Sequence, residues 1–285
     1  MQPELLRLGP FAFHGYGTMV ALGLVVSWFV LQREAKRKGL DVLARDLLSL
    51  YGWMLVAGWI GGKLYYVLSS YDEFRGIWAR GKPAEIVGKG FVFYGSLLTC
   101  IPTLRWWLKK RGLPFLPVLD VAILAAPIML GLGRVGCFLA GCCYGHRCDV
   151  AWAVEYPASH ATRGVPVHPA PLYETLGCAI VLAILWWGMR PRARFPGHVV
   201  AAYFVLYGVE RFFVEFFRGD AARGFVVGGE GLGAGDPPAG LAVSQVISIP
   251  LVLLGAVWLA VGLRRSRNAP TADGRPSRAE RRRAP

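Results

Sequence analysis

Seven apolar stretches, each about 17–24 residues long, recur from one end of this 285-residue chain to the other. They lie near residues 13–32, 46–68, 91–107, 117–140, 171–189, 197–217 and 241–263. About 20 apolar residues in a helix cross a hydrocarbon layer roughly 30 Å thick. Only helices or closed barrels satisfy their own backbone polar groups there. The pattern predicts an all-α polytopic membrane protein with seven transmembrane helices. The third stretch is the weakest: Gly90, Gly95 and Pro102 predict a helix that is partly broken or re-entrant. Ten Trp and eleven Tyr suit the two interfaces of a membrane.

The net charge of +14 would suit nucleic acid if it formed one patch, but the charges cluster between and after the apolar runs. Segments 33–45, 105–116, 190–196 and the tail after 263 hold twenty of the 32 Lys and Arg. The intervening segments hold nine, and Lys63, Arg134 and Arg211 fall within spans. Positive charge stays inside, so the N-terminus is expected outside and the C-terminus in the cytoplasm. Residues 1–263 are expected to form one transmembrane domain, with 141–170 and 218–240 as outer-side loops. Residues 264–285 read as a basic, disordered cytoplasmic tail drawn to anionic lipid. The opening MQPELLRLGPFAFHGYG lacks a basic leader region, so the first run is read as a retained helix. There is no repeat of the transporter kind.

Arg134 lies inside the fourth apolar run. An Arg at a helix centre costs roughly 2.5–3.5 kcal/mol to insert, so a retained one calls for an anion. Other polar residues fall at the outer ends of the spans: His14 and Tyr16, then Lys63, Tyr65 and Tyr66, then Tyr94, then His168, Tyr173 and Glu174. In the sixth span Tyr207, Arg211, Glu215 and Arg218 recur at i, i+4, i+8 and i+11, one polar stripe, with Glu210 beside it. That stripe reads either as structural ion pairs in a bundle or as an anion site whose Arg211 is oriented by Glu215. Two guanidinium forks are the right chemistry for a phosphate, and an outer-leaflet cavity meets lipid phosphates first. Asp120, alone on the inner side, reads as a structural partner or helix N-cap.

Four of six cysteines follow the pattern Cys137-x4-Cys142-Cys143-x4-Cys148. This lacks the paired C-x2-C of structural zinc sites, and His146 alone does not supply it, so no metal and no cofactor are expected. A disulfide on the oxidising side and close packing of small residues both remain open. Cys100 and Cys178 read as buried small apolar residues.

The motifs HGYG (14–17), GGKLYYVL (61–68), FYGSL (93–97), GLGRVGCFLAGCCYG (131–145), HPAPLYE (168–174), YGVERFFVEFFRGD (207–220) and SQVISIP (244–250) cover nearly the whole chain. Together they resemble the prolipoprotein diacylglyceryl transferase family, multi-pass enzymes of the bacterial inner (plasma) membrane. The resemblance implies seven helices with the N-terminus outside, and a catalytic role for the membrane domain. It implies that phosphatidylglycerol gives its diacylglyceryl group to the lipobox Cys thiol of a prolipoprotein signal peptide. A thioether forms and glycerol 1-phosphate leaves. The partners implied are that lipid, that peptide and the surrounding membrane lipids, with no nucleic acid. The resemblance assigns Arg134 to the lipid phosphate and Arg211 to the leaving group, and adds Tyr94 and His168 to the catalytic set. It assigns Arg134, Tyr16, His14, Gly95, Tyr207, Glu215, Arg218 and Gly145 to substrate binding.

The chain departs from the family pattern at four positions. Tyr94-Gly95-Ser96 stands where the pattern has His-Gly-Gly, whose His is the proposed base. Cys137 replaces an Asn and Cys142 a carboxylate. A Tyr, with pKa near 10, is a poor base at pH 7 unless nearby Arg lowers it. The alternatives are His14, His168, or ionisation of the thiol under the arginines alone. Competing readings of the whole chain are a lipid or anion transporter, a membrane thiol oxidoreductase, or a paralogue with altered donor or acceptor.

Overall fold

The computed structural model describes residues 4–8, 11–79, 93–157, 159–220, 224–228, 233–237 and 239–268. The basic tail beyond 268 lies outside them. A short hairpin, β1 (Glu4–Leu8) and β2 (Phe11–His14), leads into α1 (Gly15–Arg37). Then come α2 (Asp41–Ser69), α3 (Tyr71–Ala79), α4 (Phe93–Lys110), α5 (Phe115–Ala122) and α6 (Ala125–Ala140). A segment with the two-residue strands β3 (Val154–Glu155) and β4 (Pro166–Val167) precedes α7 (Ala170–Ala183). This helix runs on as a π-turn and a 3₁₀-turn to Arg192. The last elements are α8 (His198–Val214), the hairpin β5 (Phe225–Gly228) with β6 (Gly240–Ala242), and α9 (Val243–Asn268).

Every predicted apolar segment carries helix. Among the described residues, five helical stretches are long and apolar enough to cross a membrane: α1, α2, α5–α6 (Phe115–Ala140), α7 with its continuation (Ala170–Arg192) and α9. Their outward faces are apolar, with Leu48 77% exposed, Phe29 62% and Val257 60%. In a soluble helix such positions face the core, whereas in lipid they face the solvent.

Two local expectations shift. The third segment is not broken: α4 is continuous through Pro102. The interruption falls in the fourth, at Ile123–Leu124, where Leu124 N–H bonds Val121 O at 3.2 Å and Ala126 N–H bonds Ile123 O at 3.1 Å. Pro127 has no N–H to return to Ile123, so the ladder tightens there instead. His14 closes β2 rather than opening α1.

The chain divides into two compact units, residues 32–118 and residues 1–31 with 119–285. The first is organised by α2 against α4. Small residues let these backbones meet. A Cβ on Gly95 would strike the Gly61 carbonyl, and Ser96 Oγ donates to Gly58 O at 2.7 Å. Thr99 Oγ1 donates to Ala57 O at 2.6 Å. Hydroxyls bonding across a small-residue seam are a recurrent way to join helices in lipid.

In the second unit α6 packs on α7, α7 on α8, and α8 on α9. Leu124, Val181, Leu185, Val199, Ala202 and Tyr203 form its buried core. Asp120 does the capping that its position suggests, but across the fold. Its carboxylate accepts from Gly197 N–H at 2.8 Å, Val199 N–H at 2.9 Å and Val200 N–H at 3.1 Å. These are the first amides of α8, which have no partner within that helix. Asp120→Ala would strand three buried amides, so a loss of about 2 kcal/mol is expected as a lower thermal midpoint in detergent. An unchanged midpoint would refute this role.

Candidate active site

Arg134 sits on the second turn from the end of α6, Glu174 on the first turns of α7, and Arg211 and Glu215 at the end of α8. The three helices converge on Glu174, whose side chain is 2% exposed. Its Oε1 lies 2.9 Å from Arg134 Nε, and its Oε2 lies 3.6 Å from Arg211 Nη1. Arg211 Nη2 pairs in turn with Glu215 Oε2 at 2.8 Å. Charge alternates along the row: Arg134, Glu174, Arg211, Glu215. Arg134 also donates from Nη1 to Cys143 Sγ at 3.3 Å. The helices meet closely beneath the row, where Thr175 Oγ1 donates to Gly131 O at 3.1 Å.

The pairing is incomplete in an informative way. Arg211 Nη1 is buried and, beyond its 3.6 Å ion pair with Glu174, makes no hydrogen bond among the described residues. Buried donors of this kind are rare unless something else occupies them. The carboxylates hold the guanidinium groups in place and leave Arg211 Nη1 without a hydrogen bond among the described residues.

Above the row, backbone bonds knit three segments. Gly145 N–H bonds His168 O at 2.9 Å, His168 N–H bonds His146 O at 3.0 Å, and His146 N–H bonds Phe217 O at 3.0 Å. Gly145 also bridges Arg218 in antiparallel register. No larger residue fits at Gly145, since a Cβ would press into the His168 and Phe217 backbones. Arg218 grips Asp220 with two bonds, Nε to Oδ1 at 3.0 Å and Nη2 to Oδ2 at 2.7 Å. His168 Nδ1 shares a 2.9 Å hydrogen bond with the Tyr173 hydroxyl. Burial, with His146 alongside, holds the His168 imidazole below its usual pKa, which favours the neutral ring at pH 7.

Of the other expected residues, Tyr16 lies against α6, where a Cβ on Gly136 would come 3.0 Å from Tyr16 Cα. Tyr207 stacks on Tyr203, with centroids 5.3 Å apart and planes 4° from parallel. His14 supplies its carbonyl to Thr18 Oγ1 at 3.0 Å. Tyr94 and Gly95 belong to the other compact unit, in the first turn of α4. Gly95 is part of the α2–α4 seam, and the Tyr94 side chain lies outside the described residues.

Three members of the site escaped the expected set. Glu174 was visible as the last letter of HPAPLYE, and the signal for its role was the charge count, two buried arginines needing more than one carboxylate. Glu210 packs against Gly177, and neither of its buried oxygens has a hydrogen-bond partner among the described residues. Cys143 had no sequence signal, because its contact with Arg134 depends on a turn.

The sequence model of the prolipoprotein diacylglyceryl transferase family matches residues 3–261. Curated relatives named phosphatidylglycerol–prolipoprotein diacylglyceryl transferase align over most of the chain. The Clostridium tetani protein is 30% identical over 256 residues, 90% of this chain and 95% of its own. The Geobacter sulfurreducens protein is 32% identical over 93% of this chain and 96% of its own. The Bordetella parapertussis protein is 34% identical over 90% and 93%.

Glu174→Gln keeps the shape but leaves two arginines facing each other with one carboxylate fewer. Removing one partner of a buried ion pair costs about 3–5 kcal/mol, so a large fall in the thermal midpoint in detergent is expected. A midpoint equal to that of the parent would show that Glu174 does not hold the row.

Proposed function

The chain belongs to the prolipoprotein diacylglyceryl transferase family, and from that premise we propose how its own residues divide the reaction. It is a transferase of lipoprotein biosynthesis, taking the diacylglyceryl group of phosphatidylglycerol to a prolipoprotein. The acceptor atom in this reading is the lipobox Cys thiol of the signal peptide. The enzyme spans the bacterial inner membrane seven times, N-terminus outside and C-terminus cytoplasmic, with α4 and α8 as the two shorter crossings. Residues 1–263 then form the catalytic domain and 264–285 a basic cytoplasmic tail. The charge asymmetry of the loops supports that orientation.

The observation that carries the site assignment is the pair of arginines sharing Glu174, with the buried Nη1 of Arg211 left without a hydrogen-bond partner among the described residues. Arg134 binds the phosphate of the lipid. The acceptor sulfur attacks the glyceryl carbon, a C–S bond forms, and the C–O bond to phosphate breaks. The electron pair goes to the departing glycerol 1-phosphate. Arg211, oriented by Glu215, meets that developing charge. Donors fixed before the reaction, in a site shielded from water, need no reorganisation as charge builds, which is where most of such stabilisation arises. Tyr16, Tyr207, His14, Gly145, Arg218 and Glu215 line or brace the place of the lipid and peptide, and Gly95 serves substrate binding from its own unit by the family pattern.

The acceptor thiol, with an ordinary pKa of about 8.5, must lose its proton. Tyr94 stands at the family position of the base, and in this reading its hydroxyl takes that proton, while the arginines favour the thiolate. Neutral His168 braces the cavity through Tyr173.

Two substitutions test these roles, both read as the mass increase of a lipobox peptide incubated with phosphatidylglycerol vesicles. Arg134→Ala is expected to abolish transfer, and near-normal transfer would sink the phosphate assignment. Tyr94→Phe is expected to cost at least about tenfold, the low end of what general-base loss costs. A fully active Phe variant would remove the hydroxyl from the mechanism.

A further inference from the structure

The run that carries Arg134 ends in a turn whose geometry the reaction does not require. Gly141 leaves α6 in the left-handed conformation, φ 73°. Its N–H bonds Phe138 O at 3.2 Å, and the next N–H, of Cys142, reaches back to Cys137 O at 3.0 Å. This pair of bonds is the Schellman arrangement, which sets the residue two beyond the helix beside the residue three from its end. Here those two residues are Cys142 and Cys137. Cys143 follows with φ 58°, a backbone state that few residues with a Cβ adopt. His160 Nε2, hydrogen-bonded to Gly141 O at 2.6 Å, fixes the turn from outside.

The product is three sulfurs, those of Cys137, Cys142 and Cys143, all within 4.8 Å of one another. All three are free thiols, graded from buried Cys137 through half-buried Cys143 to exposed Cys142. Cys148 does not join them. Thiolates around one zinc lie about 2.3 Å from it, which puts neighbouring sulfurs roughly 3.8 Å apart, a short side-chain adjustment from the arrangement seen. We propose that Cys137, Cys142 and Cys143 form a three-thiolate site for a soft d10 cation of the Zn²⁺, Cd²⁺ or Cu⁺ class. Arg134 Nη1, 3.3 Å from Cys143 Sγ, is the outer partner such a site uses, an N–H donor that offsets thiolate charge and orients the ligand. Exposed Cys142 gives the ion its access and a place for a solvent ligand. Convergence of three sulfurs is what favours a cation over a disulfide, which would join two and leave the third unused. The linear spacing C-x4-C-C lacks a C-x2-C pair, so the sequence pattern predicts no metal. The left-handed turn supplies the convergence that spacing alone does not.

The test uses the full chain in detergent micelles, reduced and stripped with chelator, and does not depend on its transferase activity. Titration with Cd²⁺ is expected to give an ultraviolet sulfur-to-metal charge-transfer band that saturates at one equivalent. Bound Cd²⁺ should protect three thiols from a disulfide reagent. Cys142→Ser and Cys143→Ser should each weaken binding at least about 100-fold, exceeding the usual effect of losing an outer-shell partner, while Cys148→Ser should bind like the parent. Arg134→Lys should shift the affinity without abolishing the band. A missing band, a band retained when all three cysteines are Ser, or equal weakening by Cys148→Ser would each overturn the proposal. Cys142 is exposed, so its Ser variant reports on binding even where the buried Cys137 variant fails to fold.

Discussion

A carboxylate shared between two guanidinium groups is the constraint from which the rest of the second unit follows. Glu174 is almost wholly buried, yet it meets Arg134 from α6 and Arg211 from α8. None of these charges could stay in an apolar bundle alone, because an unpaired ion there costs several kcal/mol. Each therefore dictates where the others stand, and with them the helices that bear them. The close approach at Gly131, the threading of Gly145 between His168 and Phe217, and the Glu215 brace are the packing that this row demands.

Under the proposed reading, the same row would let an enzyme keep a phosphate site in lipid without making it a permanent salt. Two positive and two negative groups balance the four-residue row. Arg211 Nη1 nonetheless has no hydrogen-bond partner among the described residues, and in the proposed reading it is the N–H that a visiting oxyanion would meet. Arg218 is a different case. It spends its fork on Asp220 and contributes its backbone to the bridge with Gly145, a bracing role rather than a free charge.

Much of this was legible from the residues, for reasons of long-range physics. Hydrocarbon thickness sets the length of apolar runs, so each run could be found, and Asp120 at the start of its run could be read as a cap. What depends on a few hydrogen bonds was not legible. Gly and Pro suggested a break in α4, but the tight seam with α2 keeps that helix whole, while Pro127 tightens the turn before α6. Glu174 was seen as a residue opening its helix, and its bridging role needed the third dimension. The cysteine run was judged by linear spacing, which is blind to a left-handed turn. That Tyr94 stands where the family pattern has a His was readable only through the resemblance.

The Asp120 contact has a consequence for biogenesis. The amides that open α8 are 77 to 80 residues further along the chain than the carboxylate that receives them. A chain made from its N-terminus places that carboxylate in the bilayer before the donors leave the ribosome. When the sixth hydrophobic run arrives, a landing point for its exposed end is already present, and the order of synthesis becomes the order in which polar groups find partners.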